Sequence, residues 1–215
     1  MIACVDFDDP QVLELVNSKL PVVTIDHVFN NRAAVVSDNV RGMEELVRYV
    51  YAKGHRRIAF IHGEQTAVTE NRLTGFYRAC DALELEIPDA YIREGVYHDP
   101  DRCAELTREL LRLPEPPTCI LMPDDFSSIG GRNAIHRMDL RLPEDISVAG
   151  YDGIQIASVM SPALTTYRQD TQALGRTAAA KLIELIEKPR TALVDRVLIP
   201  GHLVEGASVR AIETL

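Results

Sequence analysis

Strand-like and helix-like patterns alternate along this sequence. Short runs rich in β-branched residues, IACV at 2–5, PVVTI at 21–25, RIAFI at 57–61, YIRE at 91–94, TCILM at 118–122 and ISVAGY at 146–151, are separated by segments with apolar residues at helical spacing. Because a parallel neighbour is reached only through a crossover connection, usually a helix, this alternation predicts an α/β fold with a parallel sheet flanked by helices. The first run begins at residue 2. The chain therefore reads either as a small complete domain or as a larger one lacking its first β-α units.

Met43, Leu46, Val47, Val50 and Tyr51 mark one apolar stripe, with Asp38 or Asn39 placed to cap its start and Gly54 its end. Further stripes run through Leu73, Phe76, Cys80 and Leu83, through Cys103, Leu106, Leu110 and Leu111, and through Leu174, Ala178, Leu182, Leu185 and Ile186. All are expected to face the core. Lys188 and Pro189 end the last helix, and VLI at 197–199 and HLVE at 202–205 read as two more strands.

A length of 215 residues suits one large or two small domains. The chain carries 23 Lys and Arg against 32 Asp and Glu, a net charge of -9 that repels a polyanion, so direct DNA binding by these residues is not expected. Cys4, Cys80, Cys103 and Cys119 lack CxxC or Cys/His ligand spacing and are expected as free thiols in a reducing cytosol. With neither a secretory leader nor a bilayer-length apolar stretch, the sequence predicts a cytoplasmic location and no membrane insertion.

Several chemistries lack their motifs. The loop expected at 63–71, GEQTAVTEN, has no GxxxxGK or GxGxxG arrangement, which leaves no phosphate cradle and no expected cofactor. No HxxxH spacing and no GxSxG elbow occur, and neither the Asp6, Asp8, Asp9 cluster nor the Asp124-Asp125 pair follows a calcium loop. Neither a metal nor a catalytic residue is expected. His55, Arg56 and Arg57 follow a helix, where cations complement the last carbonyls.

Ligands of open α/β sheets bind beyond the carboxyl ends of the strands, and polar groups collect there. Asp26 follows the second run, Arg72 ends the long loop after RIAFI, Tyr97 follows YIRE, Asp124 and Asp125 follow TCILM, and Asp152 ends ISVAGY. Carboxylates accept from hydroxyls, a guanidinium donates as a fork, and a ring covers an apolar sugar face, so the set suits a carbohydrate. Taken one at a time, each Asp reads first as a helix cap, its oxygen satisfying orphan amides. Alanine at Arg72 or Asp152 is expected to abolish ligand binding and leave the fold largely intact; under the capping reading, Asp152→Ala lowers stability and leaves binding alone.

Five segments in order, PVVTID, VVSDNVRGMEELVRYVYAKGHRRIAFIHG, ENRLTGFYRAC, LPEDISVAGYDG and PALTTYRQDTQALGRTAAAKLIELI, resemble the effector domain of LacI/GalR-type transcriptional regulators. The resemblance implies a two-lobed periplasmic-binding-protein-like type I fold. It implies residues 37–166 and 198–215 as the C-terminal lobe, and 1–36 with 167–197 as part of the N-terminal lobe. It also implies that earlier β-α units and a helix-turn-helix headpiece are not in this chain. Asp26, Arg72 and Asp152 match cleft positions, Tyr97 an aromatic position, and Asp124 stands where the family commonly has Asn.

Two departures stand out. The usual acidic pair after SVAGY reads Asp152-Gly153, and Gly206 takes the arginine's place in the terminal pattern Leu-Val-x-Arg-x-Ser. The implied function is binding of a small-molecule effector, a carbohydrate, in the interlobe cleft of a homodimer that meets operator DNA through the headpiece. A transport-type sugar-binding protein of the same fold and a carbohydrate-active enzyme are the rival readings.

Overall fold

The computed structural model describes residues 1–3, 9–29, 31–189 and 191–212. They form two compact units, Met1–Asp38 with Asp170–Gly201 and Asn39–Gln169 with His202–Leu215, and the chain passes between them three times.

The first unit opens with α1 (Pro10–Asn17), where Asp9 caps by accepting from the Gln11 amide and Pro10 sits where no helical amide is needed. β1 (Val23–Ile25) pairs in parallel with β2 (Ala33–Ser37), whose five residues are all buried. Ile2 makes an isolated parallel bridge to Thr24. Cys4 and Val5 of the strand expected at 2–5 lie outside the described residues, together with Asp6 and Asp8.

The second unit then runs through α2 (Asn39–Ala52), β3 (Ile58–His62), α3 (Ala67–Ala82) and β4 (Ile92–Glu94), followed by α4 (Pro100–Leu111), β5 (Cys119–Leu121) and α5 (Ser128–Arg137). β6 (Ser147–Asp152), α6 (Gln155–Val159) and β7 (Thr165–Arg168) follow. The chain returns to the first unit for α7 (Thr171–Glu187) and β8 (Arg196–Ile199), which pairs with β2, and ends in the second with β9 (His202–Val204). The larger sheet has the order β4-β3-β5-β6-β7-β9 and is parallel apart from the β7–β9 pair.

The two-residue period of β3 divides the core of the second unit. Ile58 and Phe60 join Met43, Leu46 and Phe76 on one face, while Ala59 and Ile61 join Leu106, Leu110 and Ile120 on the other. Phe60 and Phe76 stack at 5.3 Å. Burying each such side chain contributes about 1.5–3 kcal/mol. Gly54 stops α2 with φ +96°, and a Cβ there would stand 2.1 Å from the Ile212 carbonyl oxygen.

Four expectations need correction. Residues 63–71 are not all loop: Thr66 caps α3 through the Thr69 amide, so Arg72 sits inside a helix rather than at a loop end. Ile186 is 59% exposed and leaves the core stripe of α7. The runs named above omit β2 and β7, because Ala33–Ala34 and Thr165–Thr166 look too small or too polar for buried strand. In β7 the hydroxyls are satisfied internally, Thr166 donating to Asp125 and Thr165 accepting from the Gly206 amide. Finally, Arg56 does donate to the Tyr51 carbonyl at the end of α2, but His55 is fully buried, 2.9 Å from Thr118 Oγ1 and 3.1 Å from the Arg210 carbonyl oxygen.

Gly206 answers the question raised by the missing arginine. A Cβ at this position would lie 2.5 Å from the Ala163 carbonyl oxygen and 2.6 Å from the Leu164 carbonyl carbon, so the backbone passes too close for a side chain. The segment is tied instead by Ser208, whose hydroxyl accepts from the Thr165 amide at 2.8 Å and donates to the Val148 carbonyl at 2.6 Å. Gly206→Ala is expected to lower stability by about 2 kcal/mol, through the strain of overpacking. Urea denaturation checks this; an unchanged midpoint would show that the crossing yields freely. At the start of α7, where Asp170 accepts from the Ala173 amide at 2.8 Å, Asp170→Ala should cost about 1 kcal/mol in the same assay.

Candidate ligand-binding site

In the second unit the carboxyl ends of β4, β5 and β6 and the first half of α3 bring four of the five predicted residues into play. Arg72 is the centre. On the second turn of α3 its side chain points inward, and the residue is 3% exposed. Nε donates to Asn39 Oδ1 at 3.0 Å, Nη1 to the Pro123 carbonyl at 2.8 Å and Nη2 to Asp152 Oδ1 at 3.1 Å. The guanidinium carbon lies 3.7 Å from the Tyr151 ring centroid and 5.4 Å from that of Tyr97. Burial works against its charge, while Tyr97, Asp152 and Tyr151 hold it, and the net effect is to keep Arg72 protonated beyond an ordinary arginine's range.

Asp152 ends β6 with φ 102°, and Gly153 follows at φ 68°, where any Cβ would stand 2.4 Å from that of Arg168. Glycine in place of the usual acidic residue therefore lets this turn close. The Asp152 side chain is 21% exposed, and besides Arg72 it accepts from Gln169 Nε2 at 2.6 Å. It is held from behind and open in front. Tyr97 lies across Gly63, its hydroxyl 2.9 Å from Thr69 Oγ1 and its amide donating to Glu64 at 2.9 Å. Burial raises the Tyr97 hydroxyl pKa, so the phenol stays neutral and able both to donate and to accept.

Asp124 is fully buried and accepts from the Ser127 amide and hydroxyl, both at 2.7 Å, and from the His98 amide at 3.0 Å. Its oxygens serve the chain, much as the capping reading proposed. Asp125 is equally buried and accepts from Thr166 Oγ1 at 2.6 Å and the Ile154 amide at 2.8 Å. Burial pushes its carboxyl up to about 7, with the Thr166 and Ile154 bonds pulling down and the charge of Asp152 adding to the rise.

Asp26 belongs to the first unit. It stands at the end of β1 with φ 56° and accepts from the Ser37 amide at 2.6 Å. The residues that hold the cluster, Asn39, Thr69 and Gln169, were not among the predicted contacts. Asn39 is 33 residues and Asp152 80 residues from Arg72, and no local spacing announces such partners.

Residues 47–209 match the periplasmic binding protein-like domain family, and the chain belongs to it. Its relatives are LacI-type transcriptional regulators. The probable HTH-type transcriptional repressor ExuR of Bacillus subtilis (strain 168) is 30% identical over 97% of this chain and 63% of its own length. The HTH-type transcriptional repressor PurR of Escherichia coli O139:H28 (strain E24377A / ETEC) is 29% identical over 98% of this chain and 64% of its own. Among solved structures, the transcriptional regulator CelR in complex with cellobiose superposes with a TM-score of 0.88 at 27% identity, over 96% of this chain and 64% of that one. The chain thus spans just under two thirds of the curated relatives it matches. Among the described residues no helix is long and apolar enough to cross a membrane.

Proposed function

We propose that the chain is the effector-binding part of a cytoplasmic LacI-type transcriptional regulator and that its effector is an uncharged carbohydrate. The first unit is then the N-terminal-lobe portion and the second the C-terminal lobe. One observation carries the reading: a buried arginine, fixed by three acceptors and stacked on a ring, is matched by an aspartate that keeps part of its surface open.

Such a pair is preorganised to meet hydroxyl groups. The charge balance decides against an anionic ligand. The Arg72 guanidinium is already matched by the Asp152 carboxylate, so a further negative group would find that charge compensated. Arg72, Tyr97 and Asp152 are the contacts in this unit, and Asp124 acts by shaping the loops.

Function here is coupling rather than catalysis. Effector binding favours one arrangement of a homodimer and thereby changes how a separate headpiece meets operator DNA. A thermal-shift screen against neutral sugars, hexuronates, sugar phosphates and nucleobases tests the ligand class. A ligand at a hundred times its Kd adds about 2.7 kcal/mol of stability, a shift of several degrees. Neutral sugars alone should produce it; a response confined to nucleobases or hexuronates would overturn the reading.

A further inference from the structure

The two buried carboxylates that give up their oxygens to the chain fasten three loop tips together. Asp124 holds the loop after β4 through the His98 amide, and Asp125 holds the loop after β6 through the Ile154 amide, while both belong to the loop after β5. In the run from Leu121 to Ser128 every residue is buried except Phe126, which is 40% exposed. Ile154, pinned to Asp125, is 41% exposed, and the His98 ring lies 6.4 Å from that of Phe126. A large ring held out of the core by rigid neighbours, at the ligand end of the sheet, has its apolar face free for a guest.

We infer that Phe126, with Ile154 tethered to the adjoining Asp125, is a specificity-determining platform for a second ring carried by the bound sugar, whether a further sugar or an aryl group. This inference rests on the carbohydrate reading above. In it, Arg72 and Asp152 hold the polar ring through its hydroxyls. Phe126 and Ile154 then cover the apolar face of the ring attached to it, so ligands with two rings are favoured over simple alkyl glycosides.

The test is calorimetric titration of the full chain with methyl β-D-glucoside, phenyl β-D-glucoside and cellobiose, and with the matching galactosides and lactose. In the better-bound series, at least one two-ring ligand should bind about tenfold more tightly than the methyl glycoside, the margin an aromatic contact provides. Phenyl and disaccharide arms separate an aryl guest from a sugar guest. Phe126→Ala should bring the ratio to about one, and Phe126→Tyr should keep it. Equal affinities in the wild-type chain, or a ratio that survives Phe126→Ala, would overturn the platform while leaving the carbohydrate reading intact. If no glycoside of either series binds the wild-type chain, the carbohydrate reading itself fails and the platform with it.

Discussion

Arg72→Ala is expected to destabilise the second unit by about 3–5 kcal/mol, since it deletes one partner of a buried charge pair. Three acceptors, Asn39 Oδ1, the Pro123 carbonyl and Asp152 Oδ1, lose their donor at once, and the Tyr151 ring loses the cation stacked upon it. This replaces the expectation that the fold would be spared. A residue 3% exposed inside α3 is part of the core as much as of the site. Equilibrium urea denaturation measures the loss; a cost below about 1 kcal/mol would mean that the network is not rigidly formed.

His55→Gln is expected to remove a pH-dependent part of stability worth about 3 kcal/mol, at 1.36 kcal/mol per pKa unit. Burial lowers the His55 pKa from 6.5 to about 4, against the pull of the Arg210 carbonyl. The unfolded chain then binds a proton between pH 6.5 and 4 that the folded chain refuses. The contribution of neutral His55 is whole above pH 6.5 and is lost as pH falls towards 4.

Asp125 acts with the opposite sign. Its folded pKa, raised from 3.8 to about 7, gives stability that is present at low pH and lost as pH rises through that window. The wild-type profile is therefore a partial cancellation, and the comparison with the variant isolates the histidine. Melting temperatures of wild type and His55→Gln should converge between pH 7 and 4. Parallel profiles would show that His55 is not buried neutral.

The strand–helix alternation was legible because the β-branched runs are long enough to show their period and because α2 and α4 bury one face only. β7 was not, since its threonines become acceptable core only once Asp125 and Gly206 supply their partners, 41 residues away in each direction. The site was legible in part. Strand-end geometry selects Tyr97, Asp124 and Asp152 from sequence, because each comes within three residues of the end of a strand-like run. It cannot tell an aspartate with an open face, Asp152, from one whose oxygens are consumed by Ser127 and His98, Asp124. Nor does it find Phe126, an aromatic whose meaning comes only from the burial of everything around it.

The central claim is that Arg72 and Asp152 form a site for an uncharged carbohydrate, and calorimetric titration of wild type and Asp152→Asn tests it most directly. The substitution keeps an oxygen for Gln169 and Arg72 but leaves the buried guanidinium without its carboxylate, so the variant should melt several degrees below wild type and is titrated at a temperature where it stays folded. A neutral sugar should bind the wild-type chain at one site and the variant about 10- to 100-fold more weakly, the loss of a charge-assisted hydrogen bond. Equal affinity for both proteins, or tighter binding of the matching uronic acid by the wild-type chain, would contradict the account.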